Sequence, residues 1–276
     1  MRKLDYFALC FACFQIAAYS QTVPYPDEGP AVFVFRIHSV GAAQRDAFVA
    51  CLAQNDLPYW QDLKKKGLLA KVSVFETTSV ESSAPGVPAW NFVISSEVAP
   101  GTTADSFLRA VEKRKSCDGA PGIELRRVET LKTTPNNHHA RATVEGDRIA
   151  REKKVEFSIE YIAVDPAKLD RWNEVFITVG PRRGLEIQGG WYFGGDALLT
   201  VKVNYSQPGM PVWNTIHVLG KFPGIDAAAS RAASDAITRQ VNPESGSYDA
   251  LITPLRPFRT HPRDDRVRQL FELAVR

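Results

Sequence analysis

The sequence predicts an α+β protein made of two tandem copies of one unit, each running β-α-β-β-α-β. The main observation is a repeat: residues 86–91 (Gly-Val-Pro-Ala-Trp-Asn) return 123 positions later as residues 209–214 (Gly-Met-Pro-Val-Trp-Asn). Each copy of this motif precedes an apolar run that ends at Pro-Gly. The same order of strand-like and helix-like patterns surrounds both copies, which indicates that a whole structural unit is repeated.

The first copy covers residues 31–131, and its elements follow the order of the unit. They are predicted as a strand at 31–40, an amphipathic helix at 42–54, a short segment at 58–66 anchored by Trp60 and Leu63, a strand at 68–77, a third strand from Trp90, a helix from about residue 103 and a fourth strand at 124–131.

The second copy covers residues 154–262 and follows a charged linker at 132–153. Its elements are predicted as a strand at 154–164, a helix capped by Asp165 with Pro166 at its first position, strands at 197–205 and from Trp213, a helix from about Asp226 and a fourth strand at 248–255. Residues 263–276 carry Val267, Leu270, Phe271 and Ala274 at helical spacing, which predicts a C-terminal amphipathic helix.

The first 20 residues have the layout of a cleavable secretory signal. Arg2 and Lys3 precede an apolar run at 6–18 that is too short to span a bilayer, and small residues precede Gln21. A buried N-terminal helix is the alternative interpretation. The signal predicts a secreted or periplasmic protein with no stable membrane insertion after processing.

Two cysteines, Cys51 and Cys117, remain after residues 1–20 are removed, and both fall in the first copy. An even pair in an oxidising compartment is compatible with a disulfide, and equally with two separately buried thiols.

The charge and the motifs exclude several functions. A net charge of +3 is too small for a nucleic-acid-binding surface. RNA-recognition modules share the order of elements, but their basic aromatic strand signature is absent. The cysteines of a ferredoxin cluster and the ligand spacings of a metal site are also missing, so we expect no cofactor and no protein-bound metal.

A β-α-β-β-α-β unit carries both helices on one face of a four-stranded sheet and leaves the other face bare. Two ferredoxin-like units in one chain can bury these bare faces against each other. With its repeated Pro-x-Trp-Asn and Pro-Gly motifs, the chain resembles the dimeric α/β-barrel superfamily in a fused, pseudo-dimeric form. The resemblance implies that the space between the two sheets holds the ligand.

Alternation along the strands predicts which side chains face that space. In the first strand Phe33, Phe35 and Ile37 are expected to contact the helices, so that Arg36 and His38 face inward. The same reasoning turns Glu160 inward in the second copy. Arg36 and Glu160 are repeat equivalents with opposite charge, and an ion pair between the sheets is the alternative to a ligand site.

The side chains predicted to line the inter-sheet space are Arg36, His38, Phe75, Trp90, Glu160, Lys202, Asn204, Trp213 and His217. In this set His38, Glu160 and His217 are the candidate proton-transfer residues, and the others are candidate ligand contacts, with Arg36 holding an anionic or carbonyl group. Packing by the tryptophans and structural hydrogen bonds by the histidines remain alternatives.

Two functions follow. The first is an exported small-molecule-binding barrel, or a cofactor-independent enzyme, acting on a small hydrophobic or aromatic ligand between the sheets. The second is a non-catalytic exported protein, a homo-oligomer or partner-binding protein, that assembles through its C-terminal helix and the alanine-rich helix that begins near residue 226.

Overall fold

The computed structural model describes residues 31–112, 117, 124–132, 155–172, 182, 185–186, 194–203, 213–222 and 224–273. Along the strand segments 124–132 and 194–203 it describes the backbone alone. The predicted signal at 1–20 and nearly all of the predicted linker at 132–153 therefore lie outside the described residues.

Eight antiparallel strands form one closed barrel. They are β1 (Ala31–His38), β2 (Leu69–Ser83), β3 (Phe92–Val98), β4 (Glu124–Lys132), β5 (Glu156–Val164), β6 (Gly194–Val203), β7 (Thr215–Lys221) and β8 (Arg259–Leu273). Their order around the barrel is β1-β3-β2-β8-β5-β7-β6-β4. Each repeat contributes a sheet in which its fourth, first, third and second strands lie side by side, and the sheets join where β2 pairs with β8 and β4 pairs with β6. The predicted pseudo-dimeric α/β barrel is confirmed.

The described helices are α1 (Arg45–Cys51), α2 (Leu57–Lys65), α3 (Ala104–Glu112), α4 (Ala227–Val241) and α5 (Tyr248–Ile252). None of the helices in the described part of the chain is long and apolar enough to cross a membrane.

A π-helical turn, Leu52–Asp56, joins α1 to α2 without a break. The sequence predicts a helix ending near residue 54 and a separate segment from residue 58, because Pro58 cannot donate a backbone hydrogen bond and its ring clashes with the carbonyl four residues earlier. The wider turn accommodates the proline within one helical run. The predicted buried anchors Trp60 and Leu63 are both 2% exposed.

The repeated Pro-x-Trp-Asn motif fixes the same contact in both repeats. The side-chain amide of Asn91 accepts a hydrogen bond from the backbone N–H of Val40 and donates one to its carbonyl, each at 2.8 Å. Asn214 makes the same two bonds with Val164, also at 2.8 Å. The motif therefore ties the start of the third strand to the chain that leaves the first strand, and this explains why its asparagine recurs.

The C-terminal segment is a β-strand and not the predicted amphipathic helix at 263–276. β8 pairs with both β2 and β5, so it is needed to close the barrel. A register shift opposite Val74 and Phe75 interrupts the alternation of β8 between Gln269 and Phe271. Because of this bulge Val267 packs inside the barrel while Phe271 packs under the helices, and the resulting spacing imitates a helix.

The fourth strand of the second repeat was predicted at 248–255, and this is wrong. These residues form α5 and a 3₁₀ segment, Thr253–Phe258. Ser247 begins α5 by accepting a hydrogen bond from the N–H of Ala250. Pro254 and Pro257 lack the N–H groups that a central strand needs, so the strand begins only at Arg259.

Most of the described side chains inside the barrel are apolar, and they show that the predicted facing of four strands is wrong. One buried cluster contains residues of both repeats, which only the inside of the barrel can bring together: Phe33, Phe35, Ile37, Phe75, Trp90, Val93, Ile159, Tyr161, Trp213, Ile216, Val218 and Val267. The set expected to contact the helices in β1, β3, β5 and β7 therefore lies inside. Phe75, Trp90 and Trp213 lie inside as predicted.

Consequently Arg36, His38, Glu160 and His217 lie on the outer, helix-facing side of the barrel, not in the space between the sheets. The physical reason is that this side is less uniformly apolar than the interior. It includes partly exposed positions and ion-pair partners from the helices, which can accommodate charge. The larger apolar side chains of β1 and β5 face the interior and pack against those of the other strands.

Cys51 and Cys117 form a disulfide, with their Cα atoms 5.8 Å apart. Of the two interpretations that the sequence left open, the structure shows the bonded one. The bond joins the end of α1 to the segment that follows α3.

Candidate functional site

The outer face of β1 carries two polar side chains into the layer between the first sheet and its helices. Arg36 is 4% exposed and His38 is 5% exposed. The His38 ring packs on Phe48 of α1, with centroids 5.3 Å apart. Alternation along β1 places both residues on the face of Val34, which belongs to the apolar cluster under the helices.

The π-helical turn supplies the counter-charge for Arg36. Asp56 ends this turn and is 3% exposed. Its Oδ2 lies 3.7 Å from Nη2 of Arg36, a distance for an ion pair but not for a hydrogen bond. The extra residue of a π-turn shifts the helix face, so the carboxylate turns from solvent toward the sheet, and such turns are frequent at functional sites.

Arg36 borders a narrow cleft between β1, β3, α2 and α3, which we call the Arg36 cleft. It is lined by Val34, Arg36, Trp60, Ser96, Phe107, Leu108 and Val111. Its cavity volume is about 10 Å³, room for about one water molecule, within about 320 Å³ of empty space that includes open solvent. The lining is two aromatic rings, three aliphatic side chains, one hydroxyl and one guanidinium. His38 is not part of it.

A second polar group lies on the outer face of the other repeat. Nδ1 of His217 is 3.0 Å from Oε2 of Glu160, and Nδ1 of His261 is 3.1 Å from Oδ1 of Asp264. Burial acts most strongly on Glu160 and raises its pKa, but the hydrogen bond and charge of His217, with the charges of His261 and Arg259, outweigh it and lower the pKa to about 2. Glu160 is therefore ionised near neutral pH and accepts a hydrogen from Nδ1 of His217.

The structure thus brings together only part of the predicted site. Glu160 and His217 are in contact, whereas Arg36 and His38 lie on the first repeat. The closed barrel stands between the two groups, so they cannot act on one ligand. Asn204 and the side chain of Lys202 lie outside the described residues.

Inside the barrel the rings of Trp90 and Trp213 both pack edge-on against Tyr161, with centroids 5.2 and 5.3 Å away. One end of this stack is held by a buried ion pair that the sequence did not reveal. Nε of Arg263 donates to Asp265 at 2.8 Å, and the Trp90 indole donates to the same carboxylate at 3.2 Å. Burial raises the pKa of Asp265, and Arg263 and Trp90 oppose that effect.

Arg263 also ties the two repeats together, because its Nη2 donates to the Trp90 carbonyl at 2.7 Å and its guanidinium stacks 4.1 Å from the Trp90 ring. These contacts indicate that the network has a structural role: it supports the loop of the first repeat that precedes β3. Arg263 and Asp265 were missed because their segment was assigned to a helix.

Asp56 was also missed as a partner of Arg36, although one signal was present: Pro58 within a helical pattern predicts a local distortion of the helix. Among the described residues no group of three or more histidine, cysteine, aspartate or glutamate side chains could hold a metal ion.

Comparison with known proteins supports the fold. The sequence matches no known family and no curated protein. Among solved structures, a candidate dyp-type peroxidase from Shewanella oneidensis aligns with a TM-score of 0.50 and 9% identity, over 87% of this chain and 92% of its own. A heme-binding protein from Thermus thermophilus aligns with a TM-score of 0.43 and 11% identity, over 90% and 95% of the two chains.

A candidate monooxygenase from Fusobacterium nucleatum gives a TM-score of 0.47 and 9% identity, over 89% and 94%. The match with a TM-score of 0.50 agrees with the α+β barrel fold. At such low identity the similarity shows the fold alone.

Proposed function

We propose that the protein binds a small, partly apolar molecule in the Arg36 cleft, with Arg36 holding a carboxylate or carbonyl oxygen of the ligand. The observation that carries this proposal is a deeply buried guanidinium at the border of a cleft whose other walls are mostly aromatic and aliphatic. Small-ligand sites have this composition: apolar walls with a few polar groups that fix the orientation of the ligand.

The chemistry of Arg36 selects the class of ligand. A guanidinium presents its donors in a planar fork that matches a carboxylate, and such charge-assisted bonds are stronger when water is excluded. Asp56 supplies a counter-charge 3.7 Å from the guanidinium. The Ser96 hydroxyl adds a second polar group, while Trp60 and Phe107 offer faces for an aromatic or aliphatic body.

The proposal places the ligand between the first sheet and its helices instead of between the two sheets. The described part of the barrel interior is occupied by aromatic side chains that pack against one another. The Glu160–His217 pair lies on the other repeat, so proton transfer there cannot serve a ligand at Arg36. We therefore propose binding, and not catalysis, as the function of the cleft.

We also propose that the protein acts outside the cytoplasm, because residues 1–20 have the layout of a cleavable signal. Assembly through a C-terminal amphipathic helix is not proposed, since that segment is strand β8.

Binding can be tested by titrating the mature chain, residues 21–276, in the oxidised and in the reduced state, with benzoate and with its uncharged analogue benzamide, followed by calorimetry. We expect the variant Arg36→Met/Asp56→Leu, which removes both charges and keeps the packing, to bind benzoate at least about tenfold more weakly, as expected for the loss of charge-assisted hydrogen bonds. Glu160→Gln is the matched control and should bind like the unmodified protein. Equal binding of benzoate by the double variant, or no binding of either probe in both the oxidised and the reduced protein, would refute the proposal.

A further inference from the structure

The Cys51–Cys117 disulfide connects the two walls of the Arg36 cleft. Cys51 is the last residue of α1, directly before the turn that supplies Asp56 and leads into α2 with Trp60. Cys117 follows α3, which contributes Phe107 to the opposite wall. The bond therefore holds α3 against the helical run that carries Asp56 and Trp60.

This link restricts how far the walls can separate. The Cα atoms of Cys51 and Cys117 are 5.8 Å apart, and a disulfide does not span Cα atoms more than about 7 Å apart. The cleft has room for about one water molecule, so a ligand of benzoate size enters fully only if α3 moves away from α2. With the disulfide intact, the separation of the Cys51 and Cys117 Cα atoms can grow by only about 1 Å, which restrains the chain that follows α3.

A hydrogen bond also joins α2 to α3. The Tyr59 hydroxyl donates to the carbonyl of Ala110. A single hydrogen bond contributes about 1 kcal/mol to a folded structure and can open and reform thermally, whereas the covalent bond cannot. The disulfide is thus a covalent restraint on the separation of the two walls, in addition to the apolar packing between them.

We propose that the redox state of the Cys51–Cys117 disulfide controls access to the Arg36 cleft: the oxidised protein holds it narrow, and reduction lets α3 move and admits the ligand. The inference rests on the proposed function of the cleft. A dithiol reductant supplies the two electrons and two protons that convert the disulfide into two thiols, and closes its own disulfide in return. Cys51 is the accessible sulfur, since it is partly exposed whereas Cys117 is 6% exposed.

Trp60 provides a readout that needs no ligand, because it lines the cleft and is 2% exposed. Its fluorescence is obtained as the difference between the unmodified protein and Trp60→Phe, and its quenching by acrylamide is measured before and after dithiothreitol. We expect the quenching constant to rise at least about threefold on reduction, as a buried ring becomes accessible. Cys51→Ser/Cys117→Ser should show the raised value without reductant and should not respond to it.

Tyr59→Phe is the comparison variant. It removes the hydrogen bond to the Ala110 carbonyl and should change the quenching much less than reduction does. If the serine variant fails to fold, hydrogen exchange of the α3 amides in the reduced protein, with thiols titrated to show complete reduction, gives the same answer. Unchanged quenching and unchanged α3 exchange after complete reduction would overturn the inference.

Benzoate association, followed by stopped flow in both redox states, separates the two proposals. Faster association after reduction supports both. Raised quenching with no benzoate binding in either state supports control of the cleft and refutes its function as this ligand site. Binding at equal rates in both states, with unchanged quenching, supports the function and refutes the control.

Discussion

Replacing Arg36 with methionine tests how much the buried ion pair of the cleft stabilises the fold. Arg36 and Asp56 are 4% and 3% exposed, and their charged atoms lie 3.7 Å apart. At an effective dielectric constant of about 20, two unit charges at this separation attract by about 4.5 kcal/mol. Arg36→Met leaves the Asp56 charge in a region that water barely reaches, so we expect a loss of about 3–5 kcal/mol in the free energy of unfolding.

The double variant Arg36→Met/Asp56→Leu removes both charges and their desolvation cost, and we expect its free energy of unfolding to lie within about 1–2 kcal/mol of the unmodified protein. The assay is urea unfolding at pH 7 without reductant, so that the disulfide stays intact, followed by tryptophan fluorescence. Added salt should change the single variant little, because buried charges are weakly screened. Additive effects of Arg36→Met and Asp56→Leu in a double-mutant cycle would show that the two charges are not coupled, and would refute this reasoning.

Three further predictions concern other contacts. Because the pKa of Glu160 is lowered on folding, its ionised form stabilises the folded protein at any pH above its ordinary pKa near 4.5. This stabilisation, at most about 3 kcal/mol, should be lost as the pH falls toward 2. Glu160→Gln should therefore unfold at a lower urea concentration than the unmodified protein at pH 7 but at the same concentration at pH 2, and a constant difference across this range would contradict the prediction. Asn91→Ala and Asn214→Ala each remove the same two backbone hydrogen bonds, so each should cost about 1–3 kcal/mol in urea unfolding, and a cost confined to one repeat would contradict their equivalence. Trp90→Phe keeps most of the ring but removes the donor to Asp265, so the thermal midpoint should fall, whereas an unchanged midpoint would show that this bond contributes nothing.

The fold was predictable because the residues that recur in both repeats have narrow structural roles. Asn91 and Asn214 bind the backbone of the preceding segment, and Trp90 and Trp213 insert into the barrel. A duplicated β-α-β-β-α-β unit with one bare sheet face leaves few ways to bury that face. Periodicity and topology together were therefore sufficient for the architecture.

The facing of the strands could not be predicted from alternation alone. In β1 both alternating sets contain apolar side chains, so the pattern does not say which set meets the helices. The prediction assumed that charged residues mark the ligand space between the sheets. In the structure the counter-charge of Arg36 is Asp56, which ends the π-turn. Because the sequence does not predict this turn, it does not predict the pairing either.

The last strand was hidden for a different reason. Its inward residues include Arg263 and Asp265, which satisfy each other inside the barrel, so the interior side of β8 does not look apolar in the sequence. The bulge after Gln269 then shifts the alternation. A buried ion pair and a bulge both depend on tertiary contacts, so neither can be predicted from the local pattern of apolar and polar residues.

The pairing of β2 with β8 determines when this protein can finish folding. Residue 74 pairs with residue 271, so 197 positions of chain separate two neighbours in the barrel. On the ribosome, the first repeat emerges long before the strand that must cover its edge, and contacts this distant in sequence form slowly. Until residues 259–273 arrive, β2 and β5 both present unpaired backbone, which is the feature through which nascent β-proteins associate with one another. A chain that terminated before β8 would keep both edges permanently open.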